Sequence, residues 1–123
     1  NAWHVAHLVE PRDVVPESIM PSYSYLAATP LKVSNIAGNL GALSLVGVPY
    51  TDDMKANAEA DLEAQANPDA DTAGLLGRYP KAVTGDFDGK PGEVTEMDAL
   101  VAYLQMLGTL VDFSKYDETA GYR

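Results

Sequence analysis

Apolar residues recur at helical spacing in several separate stretches of the chain. The broadest such face is Met97, Leu100, Val101, Leu104 and Leu107. It predicts a helix over 96–107, with Gly108 as the residue that ends it. Thr95 precedes it, and Thr95 and Asp98 have capping-box spacing, with aspartate where glutamate is preferred. Ile36, Leu40 and Leu43 stand at i, i+4 and i+7 and predict another helix ending at Gly47 and Pro49; Gly38 and Gly41 weaken it. Thr51 is the expected cap of a helix running to about Ala66, with Asp52 and Asp53 near its positive end. Its stripe of Met54, Ala58 and Leu62 is thin, which places it on the surface. Asn1 can cap a short helix over 2–9 that Pro11 stops. After Asn67-Pro68 breaks the chain, a further turn is expected over 73–79, with Leu75, Leu76 and Tyr79 apolar.

The stretches between read as loops. Four prolines (11, 16, 21 and 30) and the tyrosines Tyr23 and Tyr25 predict an ordered, extended loop. Pro80, Gly85, Gly89, Pro91 and Gly92 make 80–94 a loop or small hairpin. The tail keeps Leu110, Val111 and Phe113 before turning polar. A mostly α fold follows.

With 123 residues the chain is one domain at most, or a fragment of one; such a length buries about two-thirds of its extended surface. A hydrophobic fraction of 46% against 21% charged reads as globular rather than disordered. The net charge of −10 argues against nucleic acid, whose phosphates need Lys and Arg. It favours a basic partner, or solubility alone. The stretch from Asp52 to Asp71 is the most acidic, with Lys55 its single base. No apolar run approaches the ~20 residues of a membrane span, so this chain is expected to be soluble. No signal peptide opens it, and Asn1 in place of an initiator methionine suggests processing or cleavage. The absence of cysteine removes disulfides, thiolate zinc sites and cysteine nucleophiles together.

Catalysis has little support. There is no G-x-S-x-G and no glycine-rich phosphate loop, and the paired acids at 52/53 and 69/71 read as solvated helix termini. Asp86-Phe87-Asp88-Gly89-Lys90 has the D-x-D-G form of a calcium loop, but loop position twelve, which needs a carboxylate, is Met97. An Asp-Gly turn is the better reading. Met20 is the more telling residue. A thioether is a soft, neutral ligand that suits haem iron, and it needs a stiff loop to hold it there. Pro16 and Pro21 bracket it; equally, Met20 could be an ordinary apolar residue of a proline-rich loop. His4 and His7 share one helix face at i, i+3 and could bind a metal, although a packed pair without further ligands is the commoner arrangement. Arg12 could hold an anion bidentately, or pair locally with Asp13 or Glu10.

Three blocks, in order, carry a family resemblance. Trp3-His4…His7-Leu8 with Pro11-Arg12-Asp13-Val14-Val15-Pro16-Glu17-Ser18…Met20-Pro21…Tyr23 resembles the methionine-ligand region of the monohaem subunit of cbb-type cytochrome c oxidases. Val46-Gly47-Val48-Pro49-Tyr50-Thr51-Asp52 is similar to the same family further on. So is Thr95-Glu96-Met97-Asp98-Ala99-Leu100-Val101-Ala102-Tyr103-Leu104, which also resembles the closing helix of cytochromes c in general.

The resemblance implies a truncated cytochrome c-like domain lacking its haem-attachment half. Residues 1–30 would be the methionine-ligand loop region, 31–92 an acidic helical insertion, 93–113 the closing helix and 114–123 a tail. It implies a haem c in the full subunit, held on the periplasmic side of the bacterial inner membrane by an anchor outside this chain. That subunit would relay electrons from a dihaem partner to the catalytic subunit that reduces oxygen. Met20 matches the sixth iron ligand. Arg12, Pro21 and Tyr23 match the lining of its loop, and His4 and His7 match a pattern without an assigned role. Lacking cysteine, this chain is expected to hold no covalent haem and to be inactive by itself. Its closing-helix face at Leu100, Tyr103 and Leu104 is expected to find cover within the chain or in a homodimer. Two alternatives stay open: a haem-free acidic interaction module, and a small metal site on His4 and His7.

Overall fold

Seven α-helices form in the computed structural model, which describes residues 1–109: α1 (Ala2–Val9), α2 (Pro11–Val14), α3 (Ile36–Leu45), α4 (Asp52–Ala56), α5 (Ala58–Ala66), α6 (Ala73–Arg78) and α7 (Glu96–Thr109). A 3-10 turn, Ser24–Ala28, lies between α2 and α3. The fold is mostly α, with no strand among the described residues. The apolar tail positions Leu110, Val111 and Phe113 lie outside them.

The expected capping box is formed. The Asp98 N–H donates to Thr95 Oγ1 at 3.2 Å, and the Thr95 N–H donates to Asp98 Oδ2 at 2.9 Å. Two donors that a helix start leaves orphaned are thereby satisfied. From this start α7 buries Met97 and Val101 completely against Leu8 of α1 and Phe87 of the loop before it. Removing one such side chain from water is worth roughly 1.5–3 kcal/mol. Val5, Met20, Tyr23, Leu26, Leu100 and Leu104 pack around this centre. The core therefore joins the two ends of the described chain. Loop 80–94 pairs with residues 29–31 rather than with itself: the Leu31 N–H donates to the Val94 carbonyl and the Glu96 N–H to that of Thr29, both at 2.9 Å. An isolated antiparallel bridge, Pro30 to Thr95, sits between them.

Several boundaries differ from expectation, each for a local reason. Asn1 does not cap α1 with its side chain. Its amide donates to the Asp86 carbonyl at 2.9 Å and its Oδ1 accepts from Gln105 on α7, so it fastens the helix to its neighbours instead. α1 ends at Val9 before Pro11 as expected, but Pro11 also begins α2, because proline at the first helical position has no N–H to lose. The stretch from Pro11 to Pro30 is thus partly helical, not wholly extended. Thr51 caps α4 as expected, accepting from the Met54 N–H at 3.2 Å. The helix it starts breaks at Asn57, whose side chain donates to the Asp53 carbonyl at 2.9 Å and competes for the helix's own acceptor. Gly108 lies within α7, which continues to Thr109. The face expected to need cover divides: Leu100 and Leu104 pack on the core, while Tyr103 is 53% exposed.

Candidate functional site

The loop that carries Met20 is fastened on both sides of that residue. Pro11 and Pro16 restrict the approach, and the Val15 and Ser18 N–H groups bond back to the carbonyls of Pro11 and Val15 at 2.9 Å each. Ser18 then acts twice. Its Oγ accepts from the Met20 N–H at 3.2 Å, and its carbonyl accepts from Arg12 Nε at 3.4 Å. After Pro21 the chain is tied to α1: Ser22 Oγ donates to the Val9 carbonyl at 2.6 Å and the Tyr23 N–H to that of Leu8 at 2.8 Å. Tyr23 and Tyr25 rings lie 6.3 Å apart. Backbone held this way turns Ile19 fully to solvent and sets Met20 half-buried against the core that includes Leu8 and Val101.

Arg12 and Pro21 are exposed at the rim, and Tyr23 is half-buried. Among the described residues Arg12 pairs with no carboxylate; its recorded partner is the Ser18 carbonyl. On α1, Trp3 stacks flat on His7, with ring centres 4.9 Å apart and planes 8° from parallel, and meets His4 edge-on at 5.4 Å. Among the described residues, His7 Nδ1 is buried without a partner.

A thioether held half-buried on a fastened loop, against aliphatic side chains, has the chemistry of one axial haem ligand. The chain supplies no cysteine for thioether attachment. The residues present therefore fit the methionine side of a haem c.

Three carboxylates, Asp86, Asp88 and Asp98, come within 4.8 Å of one another. Their oxygens are used locally. Asp98 accepts from the Asp88 N–H at 3.0 Å, Asp86 from the Gly89 N–H at 2.6 Å and Asp88 from the Lys90 N–H at 2.8 Å. Thr95 Oγ1 lies within reach of both Asp88 and Asp98. This is a bend at Asp88-Gly89, held by carboxylate–backbone bonds and braced onto the start of α7. Asp98, outside the D-x-D-G string, is the member that position counting overlooks.

A bidentate ion pair that the residues singled out from the sequence do not include holds the middle of the chain. Asp61 is 5% exposed, and Arg78 of α6 grips it with both arms, Nε to Oδ2 at 2.7 Å and Nη2 to Oδ1 at 2.5 Å. Arg78 Nη1 also reaches Asp53 at 3.4 Å. Hydrogen bonding to Asp61 raises the guanidinium's already high pKa. A Cβ at Gly74 would stand 3.2 Å from Arg78 Nη2, so a residue without one leaves the fork its room. The pair lines a cavity of about 970 Å³ between the middle of the chain and α7, walled by Ile36, Leu40, Tyr50, Tyr103 and Met106. Burial, followed by the charge of Asp61, pushes the Tyr79 phenol above its ordinary 10.0, with Arg78 opposing. The signal for Asp61 was its spacing: three residues after Ala58 and beside Leu62, it falls on the inner face of α5.

Helical architecture whose core joins α1 to α7, without cysteine, is that of a cytochrome c-like helical domain. No curated protein matches the chain. The chain belongs to the family described as Cytochrome C oxidase, mono-heme subunit/FixO, whose model matches residues 1–111. Membership makes it part of a haem-bearing, electron-transferring subunit of a multi-subunit cytochrome c oxidase. No helix among the described residues is long and apolar enough to cross a membrane.

Proposed function

We propose that Met20 is the sixth ligand of a haem c in the complete subunit, a periplasmic cbb-type oxidase component passing electrons from a dihaem subunit to the catalytic subunit. Family membership supports the setting, and the fastening of the loop on both sides of Met20 is the observation that carries the ligand assignment. The haem supplies a one-electron carrier when bound. This chain's part is to hold a soft sulfur in place, to exclude water with Leu8, Tyr23 and Leu104, and to offer Arg12 at the rim to an anionic group such as a propionate. Pro21 and Tyr23 keep the loop's shape. On this reading 1–30 is the ligand region, 31–92 an acidic insertion and 93–113 the closing helix, with 114–123 a tail. The chain by itself is free of covalent haem and inactive, and any self-association uses the uncovered part of α7 near Tyr103.

Replacing Met20 by Ala in the complete subunit tests the assignment. Loss of the methionine–iron spectral signature and a lower reduction potential are expected. An unchanged spectrum refutes the assignment. A second reading, a small metal site at His4 and His7, is supported by His7 Nδ1, which is buried and has no partner among the described residues.

A further inference from the structure

Helix α3 buries none of its residues. The chain from Val33 to Thr51 carries no charge at all, and at its centre Leu45 is 90% and Val46 78% exposed, with Leu43 beside them at 43%. Exposed apolar residues scattered singly are ordinary, but adjacent ones on a rigid mount mark a contact surface. The mount here is rigid. The Val46 and Val48 N–H groups both bond to the Leu43 carbonyl, at 3.2 and 3.1 Å. Ser44 Oγ donates to the Tyr50 carbonyl at 3.1 Å, and Gly47 takes the left-handed φ of +99° that closes the turn.

The surroundings restrict what can cover this tip. Helices α4 and α5 pack against α3; among the described residues their exposed Glu59 and Glu63 have no cation partner, while Asp52 pairs with Lys55 at 2.8 Å and Asp53 reaches Arg78 at 3.4 Å. Acidic helices beside α3 repel anionic headgroups, and helices that lie in a bilayer surface carry Lys and Arg on their polar side, which α3 lacks. A polypeptide surface with an apolar recess and Lys or Arg beside it complements both the tip and the acidic helices next to it.

We infer that the tip of α3, Leu43 with Leu45 and Val46, docks into such a recess on a partner subunit of the oxidase. The inference rests on the family reading, which supplies a multi-subunit setting, and does not depend on Met20. Hydroxyl-radical footprinting of the complete subunit, alone and in the assembled oxidase, tests it without altering the protein. Several-fold protection of Leu45 and Val46 only in the assembled enzyme is expected. Replacing both by Ser should lower the recovered partner subunit about tenfold while the haem spectrum stays unchanged. Equal labelling in both states overturns the inference. So does protection already present in the isolated subunit, or protection conferred by phosphatidylcholine vesicles alone. A complete subunit without haem would instead sink the family reading, so the two failures are distinguishable.

Discussion

Replacing Arg78 by Leu should cost this chain about 3 kcal/mol, far more than a surface ion pair is worth. The magnitude follows from the asymmetry of the pair. The Asp61 side chain is 7% exposed and spends both oxygens on the guanidinium, whereas that of Arg78 is 21% exposed and also reaches Asp53, itself 65% exposed. Losing the guanidinium strands a buried carboxylate. Losing the carboxylate, as in Asp61→Asn, leaves a cation that can still turn to Asp53, and about 1–1.5 kcal/mol is expected. Removing both partners leaves nothing charged stranded, so the double variant should be more stable than additivity predicts by about 2 kcal/mol. Urea unfolding followed by circular dichroism at neutral pH, extrapolated linearly for the four proteins, gives the coupling. A coupling below about 0.5 kcal/mol, the scatter of independent sites, would refute the claim that Asp61 is held in place by Arg78.

Two further outcomes follow from other parts of the fold. Val101→Ala should cost about 2 kcal/mol, from lost methyl burial and a residual void beside Phe87 and Met97, while Leu107→Ala, at a position 41% exposed, should cost under ~1 kcal/mol in the same urea assay. Tyr79 titrates above 10.0 when folded, so the folded form resists its ionisation. The associated stability is present below the unfolded value and lost as pH rises through the folded one. Thermal melts across that alkaline window should fall less steeply for Tyr79→Phe than for the unmodified chain, and parallel curves would show that the phenol does not contribute.

What the chain's pattern reveals is what neighbours in sequence decide. The capping box at Thr95 and Asp98, the cap at Thr51 and the stripe of α7 each involve residues three or four apart, and each is formed. The failures are contests that local spacing does not settle. Proline can stop a helix and start another: Pro11 forces Glu10 out of the helical region, which ends α1, and itself begins the unforeseen α2. Asn57 interrupts a good helical run through a side-chain bond that no hydrophobic count registers. Asp61 is one acid within the acidic stretch from Asp52 to Asp71, and its partner stands seventeen residues further on, across a break at Pro68.

The candidate ligand shows the same division inside one loop. Pro16 and Pro21 make the neighbourhood of Met20 conspicuous, yet prolines only withhold donors and narrow φ; they join the loop to nothing. The joining is done by less conspicuous groups: the Ser18 and Ser22 hydroxyls and the Tyr23 amide, two of which bond to carbonyls of α1. Those carbonyls, of Leu8 and Val9, sit at the end of a helix whose own bonds cannot reach them, so they are free to accept. The end of α1 therefore supplies the anchorage of the methionine loop, and Leu8 links that anchorage to the core at Met97 and Val101. A sulfur positioned through this chain of contacts is only as steady as the packing of α1 on α7, which ties the proposed ligand geometry to the stability of the helix pair rather than to the prolines beside it.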